Sequence, residues 1–325
     1  MAGILVLGET IGGRLDPITG ELLSVGRGLG GRIGVALLGD ALGGPSKEAI
    51  ALGADIVYRA EHPLLASGSA DAWVLALEQV CRQVEPSVVL LGKTFLGKDV
   101  GPRVAQRLGV GVAQDCIGVR IDDTTGRIVG ARPVYGGSAI ANVTLSGEPQ
   151  VVIVRPRAFE STKPDSTRSG DILDIKVDID ESHVKVRHIE TVQREAEGVR
   201  LTDASVVVSG GRGLGGPEPF EQLAELAREL GGAVGASRAA CDAGWVDHSL
   251  QVGLTGASIA PELYLTFGIS GASQHMAGCS GAKHIVAVNS DPNANIFKEA
   301  SFGVVGDWAK VLPAFIEALR ELRQN

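Results

Sequence analysis

Short, wholly apolar runs that end at a glycine or a polar residue recur along this chain. Residues 4–7, 33–38 and 87–91 are such runs in its first half. Runs of this length and character predict strands that are buried on both faces, as in parallel sheets. Residues 69–84 carry apolar side chains at helical spacing before Pro86 ends the pattern. Strand, helix and strand in this order predict an α/β fold with a parallel sheet.

The pattern changes between residues 114 and 156, where several β runs follow one another. These runs cover 117–121, 127–134, 139–145 and 150–154, with turn signals at 123–126 and 146–149. Successive strands joined by turns predict hairpins or a small antiparallel sheet. Residues 171–192 alternate loosely between apolar and polar, and they predict a connector with edge-strand character.

A chain of 325 residues is long enough for about two domains. The polar run 193–198 predicts the boundary between an N-terminal α/β domain over residues 1–197 and a C-terminal domain over residues 198–325. The second domain repeats the strand, glycine loop and helix pattern. Its predicted strands cover 204–209, 233–236, 264–267, 284–288 and 303–305, and its predicted helices cover 220–230 and 308–322. This arrangement is typical of a Rossmann-like domain.

Composition excludes several classes of protein. The net charge is −8 and aromatic residues make up 4% of the chain, which argues against nucleic-acid binding. No apolar run approaches the length of a membrane span, and the N-terminus lacks the features of a signal peptide. The four cysteines lack metal-site spacing and are expected to be reduced, buried thiols. We therefore expect a cytoplasmic protein without a metal site.

Two junctions in the second domain have the composition of phosphate-binding loops. Residues 206–215 run from an apolar strand into the loop Gly210-Gly-Arg-Gly-Leu-Gly215 and then into a helix. Residues 268–275 follow a second strand with small and hydroxyl-bearing residues. Such loops let backbone N–H groups approach a pyrophosphate at a helix start. Each alone is also compatible with a tight turn or a serine-capped helix, but two in one domain favour a single bound dinucleotide.

Five further residues of this domain have side chains suited to a redox cofactor. Arg238 can place a permanent positive charge against a flavin ring, and Thr255 offers a hydroxyl in a glycine-flanked loop. His275 can titrate near neutral pH or hydrogen-bond a carbonyl. Asn289 and Asp307 follow apolar strands, where ligand contacts of open α/β sheets lie. The alternatives are an ion-pairing arginine, a turn residue, a structural histidine and two turn or helix caps.

A set of short motifs covers nearly all of the second domain in one order. They are Ser209-Gly-Gly-Arg-Gly-Leu214, Val234-Gly-Ala-Ser-Arg-Ala-Ala240, Gln251-Val-Gly with Thr255-Gly256, Ala260-Pro-Glu-Leu-Tyr264, Gly268-Ile-Ser-Gly-Ala272 with Gln274-His275, Val288-Asn289 with Asp291-Pro292, and Ile296-Phe297. Through these motifs the domain resembles the α subunit of electron transfer flavoproteins. The first domain resembles the family less closely, through Leu90-Leu-Gly92, Gly97-Lys-Asp99 and Pro102-Arg103.

The resemblance implies a C-terminal FAD-binding domain and an N-terminal domain that contacts a β subunit. The residues that it places at the cofactor are Arg212, Ser237, Arg238, Val252, Gly253, Leu254, Thr255, Ser270, Gly271, Ala272, Ser273, Gln274, His275, Asn289, Asp307 and Trp308. It implies that Arg238 lies over the flavin, Thr255 at its redox nitrogen, His275 near its pyrimidine carbonyl and the Ser270 loop at the pyrophosphate. Many members carry Gln where this chain has Leu254, so a side-chain hydrogen bond made there is absent here.

The resemblance implies an electron carrier rather than a stand-alone enzyme, with no catalytic residue of its own. In a heterodimer with the β subunit it would relay electrons between acyl-CoA dehydrogenase-like partners and a downstream acceptor. It leaves open whether the heterodimer only relays electrons or also bifurcates them from NADH. From the residues alone, two other functions stay open: a nicotinamide-dependent dehydrogenase with a Rossmann-like C-terminal domain, and a nucleotide-binding scaffold without redox activity.

Overall fold

The computed structural model divides the chain into two compact units. Unit 1 comprises Met1–Val134 and Ile140–Val192, and unit 2 comprises Tyr135–Ala139 and Gln193–Asn325. The structure describes residues 3–66, 68–137, 139–186, 189 and 199–324. The predicted boundary between residues 197 and 198 therefore lies outside the described residues, and it stays a prediction.

Unit 1 is built on a seven-stranded sheet with parallel pairs, in the order β12-β5-β4-β1-β6-β11-β7. Up to residue 192 the strands are β1 (Ile4–Gly8), β2 (Thr10–Ile11), β3 (Arg14–Leu15), β4 (Ile33–Gly39), β5 (Ile56–Glu61), β6 (Val88–Gly92), β7 (Val112–Cys116), β8 (Gly118–Ile121), β9 (Ile128–Val134), β10 (Ala139–Thr144), β11 (Gln150–Val154) and β12 (Asp171–Asp174). The helices are α1 (Ile18–Leu29), α2 (Gly43–Ala51), α3 (Ala70–Val84) and α4 (Gly97–Arg107).

The apolar strands of unit 1 are buried because helices cover both faces of the sheet. Along β1, Ile4 and Val6 join the core that α1 covers, whereas Leu5 and Leu7 join the core that α3 covers. This alternation follows from the two-residue period of a strand. A strand with apolar side chains on both faces therefore reads as one continuous apolar run, and the predicted strands and the helix over residues 69–84 are confirmed.

The small antiparallel sheet is also confirmed, but it is narrower than the sequence predicts. It contains β10, β9 and β8, and β8 pairs with β9 in antiparallel register. The run at residues 150–154 was expected among the hairpins, and that expectation is wrong. It forms β11, which pairs in parallel with β6 and β7. Its side chains alternate between the two cores, with Val151 on one face and Val152 on the other, so only a position inside the large sheet buries both sets.

Unit 2 contains a five-stranded parallel sheet in the order β14-β13-β15-β16-β17. Its strands are β13 (Val206–Gly210), β14 (Ala233–Ala236), β15 (Leu263–Phe267), β16 (His284–Asn289) and β17 (Phe302–Val305), and its helices are α5 (Pro219–Glu229), α6 (Arg238–Asp242), α7 (Ser273–Cys279) and α8 (Trp308–Gln324). The first strand lies between the second and the third. In such doubly wound sheets the chain turns in opposite directions from the two central strands, which opens a crevice at their carboxyl ends.

Apolar clusters cover both faces of the sheet in unit 2. Phe220 and Leu223 of α5 pack with Leu312 and Ile316 of α8 on one face of the sheet. The other face is covered by a second apolar cluster that includes Val252. The predicted α/β class is therefore confirmed for both units. In the described part of the chain, no helix combines the length and apolarity that crossing a membrane requires.

Candidate cofactor site at the carboxyl edge of the second sheet

The residues expected to bind a cofactor follow the strands of unit 2 one by one. Their positions are Arg212 after β13, Ser237 and Arg238 after β14, Ser270 after β15, Asn289 at the end of β16, and Asp307 and Trp308 after β17. Because every strand pair is parallel, these positions all lie at one edge of the sheet, which we call the carboxyl edge. The structure thus brings together segments that are up to about a hundred residues apart in sequence.

The segment 252–255 reaches the same edge through backbone hydrogen bonds. The Val252 N–H donates to the Ala236 carbonyl at 2.9 Å, and a parallel bridge joins Ala236 to Gln251. The Leu254 N–H donates to the Gln274 carbonyl at 2.7 Å. This segment therefore connects the end of β14 to the start of α7.

Glycine is required where the loops after β13 and β15 meet. The Gly213 N–H donates to the Gly268 carbonyl at 3.0 Å. A Cβ atom at Gly211 would lie 2.2 Å from that same carbonyl oxygen, which is a backbone atom and cannot move aside easily. Gly268 has φ +65°, a conformation that L side chains rarely adopt. The glycine-rich loop therefore serves close backbone packing at the crevice itself.

The Ser270 loop is fixed in the same way. The Ile296 N–H donates to the Ser270 carbonyl at 3.1 Å. Gly271 has φ +77°, and a Cβ atom there would lie 2.2 Å from the Ile296 backbone nitrogen. Around this fixed turn Ser270, Ala272, Ser273 and Gln274 are exposed. Their backbone and hydroxyl groups are accessible to a ligand, as a pyrophosphate site requires.

Three buried polar side-chain atoms in the described part of unit 2 lack a hydrogen bond of good geometry, although Ser209 neighbours the hydroxyl of Tyr264 and His275 neighbours the backbone of Val252. They are Ser209 Oγ, Ser237 Oγ and His275 Nδ1. Buried polar groups are nearly always partnered, and leaving one unpaired costs about 1–3 kcal/mol. Ser209 and Ser237 lie at the carboxyl ends of the adjacent strands β13 and β14. Together with the exposed Ser270 loop, the half-buried Ser237 at this edge fits a polar ligand such as a dinucleotide.

His275 is buried and has polar neighbours in the hydroxyl of Tyr264 and the backbone of Val252. Its Nε2 lies 2.8 Å from the hydroxyl of Tyr264 on β15. Burial lowers the pKa of His275 to about 4. The expectation that His275 titrates near neutral pH is therefore wrong, because the charged ring would lose its hydration in this position. The neutral ring can still hydrogen-bond a carbonyl through Nδ1.

Thr255 is exposed, and its hydroxyl oxygen is already in use. Gln251 is buried, and its Nε2 donates to Thr255 Oγ1 at 2.9 Å. A hydroxyl that accepts one bond still has its own proton to donate. Thr255 can therefore give a hydrogen bond to a ligand nitrogen or oxygen.

Arg238 begins α6 and is exposed at the carboxyl edge. Its Nε lies 3.2 Å from Asp242 Oδ2, one helical turn further on, and its side chain is 66% exposed. In this structure Arg238 is therefore an ion-pairing arginine, which is the alternative that the sequence left open. A surface pair of this kind holds the guanidinium weakly, so the side chain can turn to a ligand.

Asn289 and Asp307 have structural hydrogen bonds. Asn289 donates through Nδ2 to the Ile269 carbonyl at 2.9 Å and accepts from the Asp291 N–H at 2.9 Å. Asp307 accepts from the Ala309 N–H at 3.0 Å, at the start of α8. Both residues thus also have the cap roles that the sequence left open. Leu254 is 60% exposed, which leaves this apolar side chain uncovered at the edge.

Three residues at the site were not among those predicted to bind the cofactor. Tyr264, Gln251 and Asp242 each contact a predicted residue, as described above. Asp242 could have been found from its spacing of four residues from Arg238 on one helix. Tyr264 and Gln251 meet their partners only because β14, β15 and α7 converge, which no local pattern reveals. Among the described residues, no group of three His, Cys, Asp or Glu side chains could hold a metal ion, and all four cysteines are buried and free.

Comparison with known proteins finds matches to both parts of the chain. The family model for the electron transfer flavoprotein domain matches residues 4–180, and the model for the electron transfer flavoprotein FAD-binding domain matches residues 200–280. The chain is 40% identical to electron transfer flavoprotein subunit alpha of Thermoanaerobacterium thermosaccharolyticum over 98% of each chain, and 42% identical to the subunit of the same name from Bacillus subtilis over 98% of each chain. It is also 35% identical to protein FixB of Clostridium saccharobutylicum, over 98% of this chain and 97% of that protein.

Proposed function

Because the chain belongs to the electron transfer flavoprotein α-subunit family, we propose that it pairs with a β subunit and holds FAD at the carboxyl edge of its second sheet. The heterodimer then carries electrons between acyl-CoA dehydrogenase-like partners and a downstream acceptor. Bound FAD would supply the reversible uptake and release of electrons. The chain itself supplies binding, orientation and charge, without a catalytic residue of its own.

The observation that carries this proposal is the convergence of hydroxyl-bearing residues and glycine-only loops at one edge. Ser237 is half-buried after β14, and Ser270 and Ser273 are exposed after β15. The loops after β13 and β15 present backbone at a place where side chains are excluded. This combination suits the pyrophosphate and ring carbonyls of a dinucleotide better than it suits a small apolar ligand.

Each polar residue has a distinct role toward the flavin in this proposal. Arg238 places positive charge where negative charge develops on reduction. Thr255 donates its hydroxyl proton toward the redox nitrogen, since Gln251 occupies its oxygen. His275 donates to the pyrimidine carbonyl. The exposed Ser270 loop binds the pyrophosphate, and Arg212 adds a positive charge after β13.

Co-expression with an electron transfer flavoprotein β subunit tests the proposal. We expect a yellow heterodimer that releases FAD on denaturation, with the cofactor identified by chromatography, and a flavin that dithionite reduces and an acyl-CoA dehydrogenase with its substrate also reduces. A colourless complex that binds NAD tightly would instead support the nicotinamide-dependent dehydrogenase. A complex that binds FAD or AMP but accepts no electrons would support the nucleotide-binding scaffold.

The same preparation distinguishes simple relay from bifurcation. The heterodimer is incubated with NADH as the only electron donor, and flavin absorbance is followed. Flavin reduction by NADH favours a bifurcating complex, and its absence together with reduction by an acyl-CoA dehydrogenase favours relay. Either result leaves the assignment of the FAD site unchanged.

A further inference from the structure

A series of polar contacts joins Arg238 to Thr255 at the carboxyl edge of unit 2. Arg238 Nε lies 3.2 Å from Asp242 Oδ2, and Asp242 Oδ1 lies 4.0 Å from Nε2 of His248. His248 Nδ1 lies 3.3 Å from Gln251 Oε1, and Gln251 Nε2 donates to Thr255 Oγ1 at 2.9 Å. The two ends of this polar series are proposed flavin contacts, and His248 between them is a titratable side chain.

The side-chain amide of Gln251 is the part of the series that has a direction. Gln251 is 5% exposed, and its carbonyl accepts from the Ala257 N–H at 2.7 Å, which closes the loop that carries Thr255. A side-chain amide has an acceptor oxygen at one end and a donor nitrogen at the other. Turning the amide by half a rotation exchanges the two ends without moving the backbone. The amide therefore has two orientations, and its neighbours decide between them.

The protonation of His248 decides this orientation. Gln251 Oε1 can only accept, so in the structure Nδ1 of His248 carries a proton. The carboxylate of Asp242 lies beside Nε2 and favours a proton there as well. The charged ring, which has both protons, satisfies both neighbours. When the ring loses one proton, Asp242 favours keeping the proton on Nε2. Nδ1 then presents a lone pair to Gln251, which favours the reversed amide.

The orientation of the amide determines what Thr255 offers to a ligand. When Gln251 Nε2 donates to Thr255 Oγ1, the hydroxyl proton of Thr255 is available to an acceptor. In the reversed orientation Gln251 Oε1 accepts that proton, and Thr255 presents only a lone pair. Thr255 is exposed, so either form is accessible at the edge.

The other charged and titratable groups around His248 lie on α6 and in the loop that follows it. Asp242 and Asp247 favour the charged form of the ring, whereas Arg238 disfavours it. Cys241 Sγ donates to the Asp247 carbonyl at 3.7 Å, and burial raises the pKa of this thiol. The strand β14 consists of Ala, Val, Gly and Ala and adds no such group. Histidine is the residue type in this set that ordinarily changes charge between pH 5 and 8.

We propose that His248 is a positioning residue that sets, through the side-chain amide of Gln251, whether Thr255 donates or accepts a hydrogen bond at the cofactor. The inference rests on the proposed function for the identity of the ligand, but the polar series belongs to the cofactor-free chain. The redox nitrogen of oxidised flavin carries no hydrogen, so it requires Thr255 as a donor. His248 is 66% exposed and exchanges its proton directly with water.

The first experiment follows the polar series in the cofactor-free, full-length chain. The chain is labelled with 15N, and nuclear magnetic resonance spectra are recorded from pH 5.5 to 8.5. The side-chain amide signals of Gln251 are those lost in Gln251→Leu, and the ring signals of His248 are those lost in His248→Asn. We expect both sets to change with the same midpoint, and the Gln251 signals of His248→Asn to be independent of pH. Gln251 signals that ignore pH in the wild type, or follow it in His248→Asn, overturn the proposal.

The second experiment measures the affinity of the heterodimer for oxidised FAD at pH 5.5 and 8.5. Gain of one hydrogen bond from Thr255 predicts roughly 3- to 10-fold tighter binding at pH 5.5, and no such difference in His248→Asn. A charged histidine can also attract FAD directly through space. Gln251→Leu and Thr255→Val keep His248 but break the series, so both should lose the pH dependence. Wild-type pH dependence in Thr255→Val would mean that the charge acts directly, and it would overturn the positioning role.

A matched control uses another exposed histidine of the same unit. His284 begins β16 and therefore lies at the opposite edge of the sheet. His284→Asn should keep the pH dependence of the wild type, and its loss there would overturn the assignment to His248. A wild-type heterodimer that binds no FAD contradicts the proposed function. The spectra of the cofactor-free chain still decide in that case whether His248 controls the Gln251 amide.

Discussion

The two units have related sheets but opposite chemistry at the point where each sheet reverses its order. In unit 1 the reversal lies between β1 and β6, and in unit 2 between β13 and β15. After β1 comes Glu9, whose two carboxylate oxygens lie 2.7 and 2.8 Å from Thr94 Oγ1 after β6. At the equivalent place unit 2 has Gly211 and Gly268 in backbone contact. One crevice therefore contains a buried carboxylate of the chain, and the other presents backbone and hydroxyl groups.

Both crevices contain a glycine at a close backbone contact, but the atoms around that glycine differ. A Cβ atom at Gly97, the start of α4, would lie 2.1 Å from the Gly92 carbonyl and 3.2 Å from Glu9 Oε1. In both units the glycine thus permits a close backbone contact; in unit 1 a carboxylate of the chain also lies beside it, whereas in unit 2 the nearest atoms are all backbone. A carboxylate repels phosphate once it is ionised, whereas neutral N–H and O–H donors attract it. The topology alone therefore does not decide where a nucleotide binds; the residues after the strands do.

Disturbing the glycine contact in unit 2 should have the largest effect. Gly211→Ala places a Cβ atom 2.2 Å from a backbone oxygen, so the loops after β13 and β15 must separate. Overpacking of this kind costs about 1–3 kcal/mol, which predicts roughly 10- to 100-fold weaker FAD binding. Isothermal titration of the cofactor-free heterodimer with FAD measures the change.

Gly216→Ala is the matched control, five residues further along the same loop. There a Cβ atom would meet only the end of the Glu218 side chain, which can move away. Wild-type affinity in Gly216→Ala and reduced affinity in Gly211→Ala would establish that the loop contact, not glycine content, makes the site. Equal affinities for both variants would remove the proposed contrast between the units.

The buried carboxylate of Glu9 predicts that the stability of unit 1 depends on pH. Burial is the largest cause that raises the pKa of Glu9, from 4.5 to about 7. The unfolded chain then loses this proton at lower pH than the folded chain. The free energy of unfolding therefore falls as pH rises from about 4.5 to 7. Glu9→Gln removes this dependence and should stabilise unit 1 by about 3 kcal/mol at pH 8, with little effect at pH 4.

Hydrogen exchange of the β1 and β6 amides at several pH values checks this expectation, because these strands flank Glu9. Glu160→Gln, which replaces an exposed carboxyl of the same unit, should leave the exchange rates unchanged. A stability difference between Glu9→Gln and wild type that stays constant from pH 4 to 8 would mean that Glu9 does not hold its proton in the folded state.

Most strands could be predicted because each is a short apolar run that is visible in the local sequence. The helix α1 and the position of β11 in the large sheet could not be predicted. Ile18–Leu29 contains Gly20, Gly26 and Gly28, which lower helix propensity, and only the packing of residues such as Leu22 against the sheet stabilises the helix. The strand Gln150–Val154 was found, but its partners were not, since parallel pairing depends on distant residues.

The candidate site also has features that the sequence predicts and features that it does not. Glycines and hydroxyl residues after apolar strands mark the loops, so the edge could be predicted from sequence. The contacts that tune each group could not, because they join separate elements. Gln251 with Thr255, and Tyr264 with His275, are pairs of this kind. Burial of His275 also depends on the assembled fold, which is why its lowered pKa contradicts the expectation of titration near neutral pH.

Charge at the edge of unit 2 should set the reduction potential of the flavin. Removing the positive charge in Arg238→Ala should lower the midpoint potential of the first one-electron reduction of FAD by about 40–80 mV, since an exposed charge near the ring contributes about 1–2 kcal/mol. Arg238→Lys should retain most of the potential. Asp242→Asn removes the partner carboxylate of Arg238 and should raise the potential slightly. Spectroelectrochemical titration distinguishes the three variants, and identical potentials would place Arg238 away from the flavin.

The smallest effect on FAD binding is expected at Thr255, where a single hydroxyl group is tested. Thr255→Val keeps the shape of the side chain but removes both the proton for the flavin and the acceptor that Gln251 uses at 2.9 Å. Loss of about 1 kcal/mol of hydrogen bonding predicts roughly 5-fold weaker FAD binding, and Thr255→Ser should restore it. Gln251→Leu tests the contact within the loop. If it weakened FAD binding as much as Thr255→Val, and Thr255→Ser did not restore binding, the Thr255 hydroxyl would only stabilise the loop. Unit 2 would then bind its ligand through backbone groups alone.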